Sequence, residues 1–150
     1  MQGSVTVAIA APAERIWEVI TDVPHIGDYS PEVFEAEWLD GATGPALGAR
    51  FRGHVRRNEI GPVYWTTCRV TACEPGREFG FEVLVGDRAV NNWHYLLTPA
   101  GERTDVTESF RLNASPLMSL YSVFGGQLRR RRNLRDMRKT LERIAAVVES

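Results

Sequence analysis

The sequence is poor in the residues that ordinarily announce chemistry. Its 150 residues include two cysteines and three histidines. Cys68 and Cys73 fall on what reads as one extended segment. Five residues of strand span about 17 Å and put the two side chains on opposite faces, so they cannot bridge within it. No CxxC or Cys/His cluster is present, which argues against a metal site. There is no GxSxG, no HExxH, no phosphate-binding glycine loop and no EF-hand pattern. Long apolar runs are absent too, and none approaches the length needed to span a bilayer. The opening segment Val5-Thr6-Val7-Ala8-Ile9 lacks a basic leader and alternates as a strand does. A reducing cytoplasm is the expected compartment. A net charge of −1 offers no excess for nucleic acid.

What is present is an ordinary globular composition, 43% hydrophobic and 25% charged, at a length typical of one domain over residues 1–150. The charge is uneven. Residues 116–150 carry 8 basic and 3 acidic side chains, so the acidic excess belongs to the preceding residues. Opposite signs on the two parts favour their docking at long range.

Residues 3–10 read as a first strand. Pro12 opens a helix whose apolar side is Ile16, Trp17, Val19 and Ile20, and Pro24 stops it before a second short helical segment. Extended segments follow at 33–39, 49–57, 63–73, 77–85, 89–98 and 103–112, separated after the first by short turn-rich joints. From Ser115-Pro116 a helix can run to the C-terminus, on the order of 50 Å if unbroken, with Gly125-Gly126 as the place for a kink.

Hairpin joints fix approximate pairings, and pairings fix faces. The expected register sets Val55 opposite Thr66, Phe51 opposite Val70, Val70 opposite Phe81 and Ala72 opposite Phe79. It continues with Phe81 opposite Trp93, Phe79 opposite Tyr95, Trp93 opposite Glu108 and Tyr95 opposite Val106. One face then collects Phe51, Val55, Val70, Phe79, Phe81, Val83, Trp93, Tyr95, Leu97, Val106 and Phe110. The other collects Arg52, His54, Arg69, Glu78, Glu82, Asn92, His94 and Arg111. The C-terminal helix offers a matching stripe of Leu117, Tyr121, Phe124, Leu128, Leu134, Met137, Leu141, Ile144 and Val148. The result is an α+β layout, a seven-stranded antiparallel sheet around one long helix. Its aromatic face either fills a core or leaves a pocket.

Glu108 is the misfit, a carboxylate on the apolar face that must pair, hydrogen-bond or shift its pKa. Arg129 to Arg132 circle the helix, and Arg131 aligns best with Phe124 and Leu128 as its partner. Such a pair is either a structural closure of the core or a polar anchor for a ligand, with Tyr95 and Asn91 able to assist. In catalysis the candidates are Glu108, Tyr95 and Arg131. The arginine run itself reads as a solvated face or as a docking patch for an acidic partner or anionic membrane surface.

Several segments resemble the START-like (SRPBCC, helix-grip) superfamily, and within it the bacterial polyketide cyclase/dehydrase and lipid-transport-like branch. They are Ser30-Pro31-Glu32, Trp38-Leu39-Asp40-Gly41, Gly48 to Gly53, Trp65, Glu74 to Phe79, Trp93-His94-Tyr95, Val106 to Ser109 and Met137 to Ile144. The resemblance spans essentially the whole chain. It implies a curved sheet gripping the C-terminal helix, two short helices after the first strand and a hydrophobic cavity between sheet and helix. It carries over no catalytic set.

The expected function is binding or carriage of a small hydrophobic ligand such as a lipid, polyketide or aromatic metabolite, without cofactor or metal. The alternative is an aromatase/cyclase or dehydrase acting on a polyketide-like substrate. The expected ligand-binding residues are Phe51, Val55, Val70, Phe79, Phe81, Asn91, Trp93, Tyr95, Glu108, Phe110, Tyr121, Phe124, Leu128 and Arg131. A monomer or homodimer is expected, with at most peripheral membrane contact.

Overall fold

The computed structural model describes residues 2–56, 63–113 and 126–149, with side chains in the last segment described from residue 130 onward. Strand β1 (Gln2–Ile9) leads into α1 (Ala13–Thr21) and a 3-10 helix (Val23–Asp28). Strands β2 (Val33–Trp38), β3 (Arg50–Arg56), β4 (Val63–Glu74), β5 (Glu78–Val85), β6 (Arg88–Ala100) and β7 (Arg103–Leu112) follow, then helix α2 (Gly126–Glu149). They form one antiparallel sheet in the order β1-β7-β6-β5-β4-β3-β2. The curved sheet, the two short helices and the long C-terminal helix are the expected helix-grip layout. The expected start of the last helix at Ser115-Pro116 and its Leu117, Tyr121 and Phe124 lie outside the described residues, as does the Leu128 side chain.

Helix α1 has Pro12 at its N-cap and Glu14 in its first turn, where an acidic side chain complements the helix dipole. Its buried residues Ala13, Ile16 and Ile20 face the sheet, and the Trp17 indole N–H donates to the Glu78 carbonyl at 2.9 Å. The Tyr29 hydroxyl donates to the Ile20 carbonyl at 3.1 Å, which ties the segment after the 3-10 helix back to α1. Helix α2 turns Met137, Leu141, Ile144 and Val148 inward, all buried, against β1, α1 and β7. Each such side chain contributes roughly 1.5–3 kcal/mol by leaving water.

The register corrects two hairpins. Phe51 pairs with Cys68 and Val55 with Tyr64, not with Val70 and Thr66. Trp93 pairs with Phe110 and Tyr95 with Glu108, not with Glu108 and Val106. The last hairpin closes through the two-residue turn Gly101-Glu102, with Gly101 at φ 69°, while Pro99 lies inside β6 and pairs with Thr104. Proline is tolerated there because β5 pairs with β6 only as far as Leu96, so no ladder bond is lost. Both errors are two residues. Side chains alternate with period two, so every residue keeps its expected face.

The expected pairings of Val70 with Phe81, Phe81 with Trp93 and Phe79 with Tyr95 are as found, and Arg69 pairs with Glu82 on the outer face. Ala72 differs: a bulge between Val70 and Ala72 moves Phe79 opposite Cys73.

Candidate functional site

A cavity of about 170 Å³ lies between the inner face of the sheet, the chain after the 3-10 helix and α2. The sheet supplies Phe51 and Val55 from β3, Tyr64, Thr66 and Cys68 from β4, Phe81 and Val83 from β5, Asn91, Trp93 and Tyr95 from β6, and Glu108 from β7. Ile26 and residues Ser30 to Val33 close one side, and Asn133, Asp136, Met137 and Thr140 of α2 close another. At about 10–15 Å³ per water-sized probe, this volume holds on the order of a dozen such groups. A ring with a short substituent fits that measure.

Seven expected residues therefore line the cavity: Phe51, Val55, Phe81, Asn91, Trp93, Tyr95 and Glu108. Three do not. Val70, Phe79 and Phe110 are each at most 2% exposed and pack into the solid core, with the Phe110 ring 5.6 Å from that of Trp93. Arg131 is exposed and points away from the cavity. Two residues of helix turn by about 200°, so Arg131 lies on the opposite side of α2 from the lining residue Asn133. Arg130 and Arg132 are exposed as well, and Arg130 Nε donates to the Gln2 carbonyl at 3.0 Å.

The expected arginine partner of Glu108 is thus replaced by a phenol. Glu108 is 3% exposed, and its Oε1 accepts a hydrogen bond from the Tyr95 hydroxyl at 3.0 Å. Its Oε2 has no hydrogen-bond partner among the described residues, and neither has the Oδ1 of buried Asn91. Burial pushes the Glu108 carboxyl up to about 8; the Tyr95 hydrogen bond pulls the other way and the Glu32 charge adds to the rise. At neutral pH it is mostly a neutral acid. The Tyr95 phenol is pushed well above its ordinary range, by burial first and then by Glu108. Cys68 also lines the cavity, and burial pushes its thiol up to about 12.

The inner face has polar ends and an aromatic middle. Asn91 and Tyr95 lie four residues apart on β6, about 13 Å along the strand, with Trp93 between them on the same face. Glu108 sits beside Tyr95 at one end, and Asn91 marks the other.

The histidines stand apart. His25 pairs with Asp22 at 2.9 Å, His54 with Glu35 at 2.7 Å and His94 with Glu78 at 2.9 Å, all outside the cavity lining. No group of three or more metal-ligating side chains occurs among the described residues. None of their helices is long and apolar enough to cross a membrane.

Sequence reasoning missed the polar side of α2. Asn133, Asp136 and Thr140 recur at i, i+3 and i+7 beside the apolar stripe, and that spacing was the available signal. It also missed Tyr64 and Thr66 of β4 and Ser30 and Glu32 of the chain after the 3-10 helix, which meet at the cavity only in the folded chain.

Comparison with known proteins gives this geometry a lineage. A family model described as polyketide cyclase/dehydrase and lipid transport matches residues 2–149. The chain belongs to that family. No curated protein matches it. Among solved structures, this family member is similar to a Polyketide_cyc-like protein from Corynebacterium glutamicum, at 27% identity and a TM-score of 0.67, covering 99% of this chain and 91% of that one. It is similar to a protein from Thermus thermophilus, at 17% identity and a TM-score of 0.77, covering 99% and 97%. It is also similar to the Zhui aromatase/cyclase from a Streptomyces species, at 22% identity and a TM-score of 0.66, covering 96% and 93%. The START-like, helix-grip assignment follows, and the family supports a role that is ligand-binding or polyketide-related.

Proposed function

We propose that the protein binds a small, mostly apolar, ring-bearing molecule in the cavity between sheet and α2. The observation that carries this reading is the pair of buried oxygens without a partner among the described residues, Glu108 Oε2 and Asn91 Oδ1, on two residues of a lining otherwise rich in aromatic rings. A buried polar atom left unsatisfied costs about 1–3 kcal/mol, which a bound molecule's polar groups can recover. The volume favours a ring-sized molecule over a two-chain lipid. The family match over 2–149 supports treating residues 1–150 as one binding domain. Native mass spectrometry of the purified protein, followed by titration with single- and fused-ring alcohols and ketones, tests the proposal. Saturable one-to-one binding that quenches tryptophan fluorescence supports it, and absence of binding across the series overturns it.

A second reading, cyclisation or dehydration of a polyketide-like substrate, is favoured by one feature. Glu108 is a neutral acid poised near physiological pH and hydrogen-bonded to a phenol, which suits general acid–base work. Here Glu108→Gln abolishes turnover while ligand binding persists. Unchanged turnover in that variant removes Glu108 from the chemistry.

A further inference from the structure

The cavity lining has a sign. Glu32, Glu108 and Asp136 are in it, and among the described residues no arginine, lysine or histidine is. The basic side chains nearby, Arg132, Arg135, Arg138 and Lys139, border a separate outer groove with Glu142. They meet the cavity only where both share Pro31, Glu32 and Asp136. Arg135 lies within 3.5 Å of Asp136, is 73% exposed and does not line the cavity.

An acidic cluster alone recognises nothing. The second observation is Glu108 itself, with one oxygen occupied by Tyr95 and the other unpartnered within a lining of rings. We propose that the cavity takes a ring-bearing primary or secondary amine, its ammonium group seated on Glu108 and its ring against Phe81, Trp93 and Tyr95. This rests on the reading of the cavity as a binding site and names the ligand's chemistry. An ammonium donor satisfies Oε2, gains the charge of the pair in a water-poor site, and lies beside aromatic faces that attract cations. A carboxylate ligand meets Glu108, Glu32 and Asp136, the last paired with Arg135, and no base among the described lining residues. Asn91, whose amide offers a hydrogen bond in either sense, holds a second polar group at the ligand's far end.

The groups around Glu108 are Tyr95 from β6, Val5 from β1, and Tyr29 and Glu32 from the chain around the 3-10 helix; Asp136, paired with Arg135, and Thr140 line the same cavity from α2. Among the described residues, none of those lining the cavity with Glu108 is a cation that competes with the ligand. Below pH 8 the empty site carries a proton on Glu108 that an arriving ammonium must displace, since alkylammonium groups keep their own proton up to about pH 10. Binding therefore releases close to one proton at pH 6.5.

Isothermal titration of the whole protein with 2-phenylethylamine, 2-phenylethanol and 3-phenylpropanoate tests this. The amine is expected to bind at least tenfold tighter than the alcohol and the carboxylate not at all. The amine's heat should vary between buffers of different ionisation enthalpy by about one proton's worth, and the alcohol's should not. Glu108→Gln should bring the amine to the alcohol's affinity. Equal affinities, a carboxylate preference directed by the outer arginines, or no proton release from the unmodified protein overturns the amine assignment while leaving the binding reading in place. Failure of all three probes overturns both.

Discussion

Replacing Glu108 with glutamine should stabilise the unliganded protein, and by an amount that grows with pH. A carboxyl with its pKa raised from 4.5 to about 8 keeps its proton in the folded chain across a range where the unfolded chain has lost it. Folding then takes up a proton between those two values, so stability falls tenfold in the folding equilibrium for each pH unit gained in that window. At pH 7 the accumulated penalty is roughly 3 kcal/mol, and at pH 5 it is under about 1. Glutamine has nearly the same shape and still accepts from Tyr95, but it has no proton to lose. Its amide leaves two buried N–H donors unpartnered where the protonated carboxyl leaves one O–H, so that cost cancels only in part. After discounting for water entering the cavity, a gain of about 1–3 kcal/mol at pH 7 remains, or roughly 2–4 °C in Tm per kcal/mol for a chain of this size. Urea unfolding of both proteins at pH 5, 6, 7 and 8 is the assay. Divergent curves, with the native protein losing ground from pH 5 to 8, are expected. Parallel curves would show that Glu108 is ionised and solvated at neutral pH, which defeats the reasoning.

Other consequences follow from the packing. Leu141 is fully buried on α2, so Leu141→Ala should cost about 2–5 kcal/mol in urea unfolding, and a loss below 1 would mean the helix is not gripped. A Cβ at Gly27 would overlap the Phe34 carbonyl, so Gly27→Ala should lower the Tm by several degrees as the 3-10 helix is pushed off β2; an unchanged Tm refutes that contact. Cys68 is buried with a thiol pushed up to about 12, whereas Cys73 is only partly buried. An aromatic disulfide reagent should therefore modify Cys73 first and Cys68 only on unfolding, and two equally fast thiols would contradict the burial.

Fold and faces were legible in the sequence for a specific reason. Turn residues at Glu74-Pro75-Gly76-Arg77 and Gly86-Asp87 pin their hairpins directly, and Gly76 and Gly86 take the positive φ those turns require. At Pro99-Ala100-Gly101 the proline draws the expected turn one residue too early, which slips the pairing by two, and an even slip leaves each side chain on its face. Glu108 was thus correctly singled out as an inward carboxylate although its neighbour was wrong. What was not legible was the helix phase relative to the sheet. The Arg131 alignment depended on Phe124 and Leu128, whereas the buried stripe from Met137 to Val148 sets the rotation and sends Arg131 outward. The division of inner residues into lining and solid core was also hidden, because Val70, Phe79 and Phe110 share the pattern of Phe51 and Phe81 and differ only in what α1, α2 and the bulge place above them.

The buried polar groups make the strongest case that the cavity exists for a ligand. Away from Glu108 Oε2 and Asn91 Oδ1, the buried side-chain polar groups of the described residues are hydrogen-bonded. Thr21 donates to the Trp17 carbonyl at 2.8 Å, Thr104 to Ala11 at 2.8 Å, Thr140 to Asp136 at 2.9 Å and Tyr29 to Ile20 at 3.1 Å. A fold that satisfies its threonines this closely has no difficulty excluding a carboxylate, and a glutamine at position 108 would remove the cost of ionising a buried acid. The unsatisfied atoms instead belong to two residues of the cavity lining, at the two ends of one aromatic stretch. Structural need explains neither the position nor the residue types. A ligand that brings its own donor to Glu108 explains both, and turns the stability lost in the empty protein into affinity in the occupied one.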